Sequence, residues 1–213
     1  MKPIKKDHKD DYVLELFHDE HPHESPLEYS EVMTVGHSHA FDHYADNMAS
    51  AFRIILNDIS SDKDLSCLAE DVTGHYIGWN TIRHKIHLDK SPWNEIQVAF
   101  REHVHDYIHL LPLYKYEHSG VSYSVKPFKS IWDSGQIGYV YLSKDEFEDS
   151  QRARQRIDAA IKEFSSWANG EVYRWQVKHQ KDGFIDGCGG YIGDHEYVWS
   201  EGERNLTRIV SEA

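Results

Sequence analysis

The sequence predicts an α+β fold, a mostly antiparallel sheet packed against a few helices. Three observations carry that expectation. Short β-rich runs come in hairpin pairs, two long stretches keep helical apolar spacing, and the order strand, strand, helices, hairpin, strand, helix, hairpin lacks the strict alternation of a parallel α/β chain.

Residues 12–17 (YVLELF) have the branched and apolar composition of a strand, and the proline-containing run at 18–26 reads as an exposed loop. Residues 31–36 (EVMTVG) predict a second strand. Met48, Phe52, Ile55 and Leu56 follow i, i+4, i+7, i+8 spacing and predict a helix, closed by a polar turn over 58–64. Ile96, Ala99, Phe100, Val104 and Tyr107 predict another, entered after Ser91-Pro92 and ending near His105. In 107–125 two β-rich runs flank Glu117-His118-Ser119-Gly120, which predicts a hairpin, and 136–142 (QIGYVYL) predicts a third strand opened by Asp133-Ser134-Gly135. Ser143 with Glu146 forms a capping-box pattern that should open a long helix ending at Asn169-Gly170. Residues 171–178 and 184–192 predict a second hairpin turning at Asp182-Gly183, with a bulge or close backbone approach at Gly187, Gly189 and Gly190. A short polar helix is expected at the end. The whole reads as a single domain over 1–213, with 1–11 and 200–213 as peripheral segments.

Charge narrows the function. Against 23 Lys and Arg stand 36 Asp and Glu, a formal net charge of −13. Such a surface repels phosphate backbones, because nucleic-acid binding needs cations to displace condensed counterions. Direct nucleic-acid binding is not expected; a basic partner is. Protonating all 16 histidines would more than offset the acidic excess, so solubility and partner binding should vary with mild acidification. At 39% hydrophobic and 13% aromatic residues the chain can build a core, yet no apolar run approaches the roughly 20 residues of a membrane span. The start, MKPIKKD, is not followed by the apolar stretch of a secretory signal, so a cytoplasmic location is expected. Cys67 and Cys188 suit neither a disulfide framework nor a zinc knuckle, and both are expected reduced and partly buried.

Residues 107–144 contain an LPLY run, a His-Ser-Gly turn, a Pro-Phe pair and then Trp132, Asp133, Ser134, Gly135, Gln136, Gly138 and Tyr141 in the pattern Trp-Asp-Ser-Gly-Gln-x-Gly-x-x-Tyr. This resembles a family of uncharacterised proteins from bacteriophages and mobile elements. DEHPHESPLE at 19–28, the following TVGHSH, and the segment from NGEVYRWQV to IDGCGGYIG extend the likeness over most of the chain. The family usually continues Ser-Pro-Arg-Glu with an Asp-Asn pair and a glycine before the Thr, where this chain has Leu27, Tyr29, Ser30, Glu31 and Met33. The resemblance implies a phage or mobile-element origin rather than a particular chemistry.

Four groups of residues are candidates for a site. His118, Asp133, Ser134 and Gln136, with Ser119 beside them, carry the residue types of a nucleophilic hydrolase. Their simpler role is to shape a turn, with Asp133 and Ser134 bonding the backbone and Gly135 at positive φ. His103, His105, Asp106 and His109 hold an i, i+4 histidine pair of metal-ligand type, weakened if His109 already lies in a strand; His37, His39, Asp42 and His43 form a second cluster. Cys188 is a weak thiol candidate among Asp182, Asp186 and Asp194. The aromatic set Trp132, Tyr139, Tyr141, Trp167, Tyr173 and Trp175 suits a core better than a base-stacking platform.

The leading expectation is an accessory, anti-defence protein that binds a basic or nucleic-acid-handling host protein, with no cofactor. Its contacts would come from Asp19, Glu20, Glu24 and Glu28 and from Asp145, Glu146, Glu148 and Asp149. The alternatives are a hydrolase, possibly metal-dependent, around His118, Asp133 and Ser134, and a structural or virion-associated domain.

Overall fold

The computed structural model describes residues 2–20, 24–130 and 132–213. Its architecture is α+β, with two mostly antiparallel sheets. Backbone contacts divide the chain into two compact units, residues 1–26 with 162–213 and residues 27–161.

The first unit holds the sheet β1 (Lys5–Lys9), β2 (Tyr12–His18), β8 (Val172–His179) and β9 (Gly183–Ile192), all antiparallel in that order. Alternation sorts its faces: Leu14, Leu16, Tyr173, Trp175 and Val177 pack with Val198, Trp199 and Leu206 of α6 (His195–Glu212). That helix is longer and more amphipathic than the short polar one expected: Asp194 starts it at His195 by accepting from the Glu196 N–H at 3.0 Å, and Val198, Trp199 and Leu206 give it a buried face. On β2 the buried Glu15 is satisfied by Lys178 at 3.0 Å, Gln176 at 3.0 Å and Lys6 at 3.3 Å. Burial works to raise its pKa, but these partners outweigh it and hold the carboxyl below its usual range. The glycines of β9 do allow a close approach: Gly189 packs on Asp19, whose carboxylate accepts from the Gly190 N–H at 3.0 Å.

The second unit holds β3 (Met33–Gly36), β4 (His43–Tyr44), β5 (Ile108–Glu117), β6 (Val121–Ser124) and β7 (Ser134–Ser143), ordered β4-β3-β7-β5-β6. Only β3 and β4 run parallel. Gly36 faces Gly138 across β3 and β7, and a Cβ on either would collide with the other strand's backbone. Helices α1 (Met48–Ile59), α2 (Asp62–Thr73), α3 (Trp79–Lys85) and α4 (Trp93–Tyr107) supply the core with Ile55, Leu56, Leu65, Ile82, Ile96 and Phe100, against Val35 and Tyr141 of the sheet.

Several expectations are corrected. The polar stretch at 58–64 is not one turn: α1 runs to Ile59 and Ser61 already caps α2, accepting from the Asp64 N–H at 3.3 Å. The long helix α5 (Ser150–Ala168) starts seven residues beyond Ser143, because Ser143 still pairs with Ile108 in the sheet. Asp149 opens it instead, accepting from the Arg152 N–H at 2.7 Å. Its end is as expected, with Gly170 left-handed at φ +71°. Gly135 is an ordinary strand residue without positive φ. Both cysteines are free, as expected, but exposed. Trp132 is 90% exposed rather than in the core.

Candidate functional site

The last turn of α1 brings Asp58 against β7, where the Tyr141 hydroxyl donates to its carboxylate at 2.6 Å. His43 Nε2 of β4 lies 3.5 Å from the same oxygen. The segment that carries His43 back beside β3 is tied by Asp42, whose carboxylate accepts from the buried Thr34 N–H at 2.6 Å and hydroxyl at 2.8 Å. This His43, Asp58, Tyr141 chain lines one wall of a cleft of about 660 Å³, with Glu31, Asp145 and Glu146 on the others.

Beyond β7 the chain forms a loop over 144–149 whose anchors are mostly backbone atoms. The Lys144 N–H donates to the Tyr107 carbonyl at 2.9 Å and the Phe147 N–H to the Ser143 carbonyl at 3.1 Å. His109 Nε2 meets the Phe147 carbonyl at 2.6 Å; a carbonyl only accepts, so Nε2 carries the proton. The loop lines a second cavity of about 620 Å³ with Asp145, Glu146, Glu148, Asp149 and Arg152. Asp145 and Glu146 are common to both cavities.

Electrostatically the two form one acidic cleft. The Arg156 guanidinium, 2.7 Å from Glu31, holds that carboxyl below its usual range. Burial, and then the Asp58 carboxylate that takes its hydrogen bond, pushes the Tyr141 phenol far above its ordinary range, so the hydroxyl stays a donor. Charge of this sign attracts ammonium and guanidinium groups in general. Among the cleft's described lining residues Ser143 is the one serine, and its hydroxyl oxygen accepts from the Asp145 N–H at 3.2 Å.

The hydrolase candidates meet only loosely. His118 Nδ1 is 3.9 Å from Asp133 Oδ2, with the His118 side chain 70% exposed. The Ser134 hydroxyl donates to the Ser130 carbonyl and Gln136 Nε2 to the Gly138 carbonyl at 3.2 Å, so these side chains stitch the turn. Ser119 shapes its hairpin at φ +28°.

The metal candidates are kept apart: His103 bonds Ser60 at 2.6 Å, His109 bonds Phe147 from within β5, and His105 and Asp106 are exposed at the end of α4. In the second histidine cluster, His37 meets the Tyr44 hydroxyl at 3.2 Å, His39 stacks on the Tyr44 ring, Asp42 serves Thr34 and His43 faces Asp58. Among the described residues no group of three His, Cys, Asp or Glu side chains is placed to hold a metal ion.

Of the acidic segments, Asp145 and Glu146 share a cavity with Glu31 and Asp58, and Glu148 and Asp149 line the adjoining one. Asp19, Glu20 and Glu24 belong to the first unit, Asp19 being engaged by Gly190, and Glu28 belongs to the second. Sequence reading missed Glu31, His43, Asp58 and Tyr141 as parts of this site. Among the described residues no helix is long and apolar enough to cross a membrane. Comparison of the chain with protein-family models, with curated proteins and with solved structures finds no match in any of the three.

Proposed function

We propose that this is a phage or mobile-element accessory protein that acts by binding, seating lysine and arginine side chains of a basic host protein in the acidic cleft. The partner is a defence or nucleic-acid-handling protein of the host cytoplasm, whose cationic channel is the complement of this surface. The binding uses no cofactor. One observation supports the reading most: two adjoining cavities carry Glu31, Asp58, Asp145, Glu146, Glu148 and Asp149, and Arg152 is the only arginine or lysine among their described lining residues. Charge of one sign concentrated in a cleft raises the local concentration of counter-charged ligands and speeds their association.

The test is fluorescence anisotropy with a labelled nona-arginine peptide and the intact chain. Affinity should fall on the order of tenfold between low and moderate salt, as screening requires. Neutralising the loop (Asp145→Asn, Glu146→Gln, Glu148→Gln) should abolish most of the binding. The matched control, Glu20→Gln, Glu24→Gln and Glu28→Gln, should leave it nearly unchanged. Equal losses in the two variants would mean that net charge alone, and not the cleft, captures the peptide.

A further inference from the structure

A third cavity of the unit formed by residues 27–161, about 460 Å³ in volume, has the opposite character. Its apolar walls are Met48 and Phe52 of α1, Leu110, Leu111 and Pro112 of β5, and Tyr139 of β7. The basic groups on it are His87, Arg101 and His105, and among the described residues no carboxylate lines it. In a chain of net charge −13 that is an unusual exclusion.

Gln97, Arg101 and His105 stand at i, i+4 and i+8 on α4 and so stack along one face of that helix at the cavity. Gln97 already donates to the Leu88 carbonyl at 3.3 Å. The exposed guanidinium of Arg101 has no ion pair or hydrogen bond among the described residues. An apolar cavity in the range of roughly 300–1,000 Å³ with a few converging polar groups is the ordinary construction of a small-molecule site.

We propose that this cavity binds a small amphipathic carboxylate. The apolar body lies against Phe52, Leu110, Leu111 and Tyr139. Its carboxylate pairs with the planar fork of Arg101, whose geometry matches two carboxylate oxygens, and His105 stands one helical turn away as a further donor. A phosphate ester is a poorer fit, since its second negative charge would meet no second arginine or lysine among the described lining residues. This site is separate from the acidic cleft and does not rest on it.

Isothermal titration of the intact chain with decanoate, decanol and decyl phosphate tests the assignment. Decanoate should bind, with decanol and decyl phosphate each weaker by on the order of tenfold, about 1.4 kcal/mol. Arg101→Gln should weaken decanoate by a similar factor, whereas Arg154→Gln, remote from the cavity lining, should not. Ala49→Trp fills the cavity and leaves the guanidinium in place; it too should weaken decanoate, with far-UV circular dichroism showing each variant folded. No heat with millimolar decanoate, equal affinity for decanol, tighter binding of decyl phosphate, or wild-type affinity in Arg101→Gln or Ala49→Trp would each overturn the proposal.

Discussion

Replacing Tyr141 with Phe removes one hydroxyl from a side chain that is 5% exposed and leaves the ring to fill the same space. The cost is therefore that of the 2.6 Å bond to Asp58, without a cavity. A hydrogen bond to an ionised group contributes about 1.5–3 kcal/mol. Asp58 is one-third exposed and keeps His43 at 3.5 Å, so water can replace the lost donor and the lower end applies. The expected loss is about 1.5 kcal/mol, or roughly 3–6 °C in Tm for a chain of this size.

The pH dependence has a definite sign. The phenol is raised in the folded protein, so its contribution is fully present below the ordinary tyrosine value of about 10. Above that, the unfolded chain releases its proton while the folded one keeps it, and stability declines by up to about 1.4 kcal/mol per pH unit. The phenylalanine variant has no such proton to keep. The stability gap between the two proteins should thus narrow from about pH 10 upward. Urea denaturation followed by far-UV circular dichroism from pH 7 to 11 measures it. A neutral-pH gap below about 0.5 kcal/mol would refute the hydrogen-bond reasoning, and a gap that stays level into the alkaline range would refute the proton linkage.

Three further outcomes are expected. Gly138→Ala sets a methyl group against the Val35 backbone and should destabilise by roughly 2–3 kcal/mol in the same denaturation assay, while Gly135→Ala, where a Cβ meets open space, should change little. His109→Phe keeps an aromatic ring but loses the donor to the Phe147 carbonyl; nona-arginine affinity should fall about fivefold although every carboxylate remains. Ser134→Ala should cost about 1 kcal/mol of stability and leave peptide binding intact. Hydrolytic activity abolished by Ser134→Ala and by His118→Ala would restore the catalytic reading of the turn.

What could be read from the residues alone was local. The period of Ile96, Phe100 and Val104 is that of a buried helix face, and α4 carries all three at zero exposure. The hairpin at Glu117–Val121 and the one at Asp182-Gly183 announce themselves by turn chemistry between β-rich runs. α2 did not, although Leu65, Leu68, Ala69 and Val72 keep helical spacing, because its first turn, Asp62, Lys63 and Asp64, is wholly charged and reads as part of a polar turn. The misplaced start of α5 has a similar cause: Ser143 and Glu146 satisfy a capping pattern, but non-local pairing of Ser143 with Ile108 takes precedence over it. Half of the cleft was visible as the acidic run Asp145 to Asp149. The rest was not, since Glu31, His43, Asp58 and Tyr141 meet only after β3 pairs with β7 and α1 packs across them.

The hold on the loop over 144–149 is mostly main-chain: His109 grips the Phe147 carbonyl, and the Lys144 and Phe147 amides bond backbone oxygens. Those anchors do not depend on which side chains stand at 145, 146 and 148. The loop can therefore exchange its charges in a few mutational steps while β7 and α5 stay as they are, which separates the evolution of target choice from the evolution of the scaffold. Related chains would then be expected to share the framework and diverge in whom they recognise.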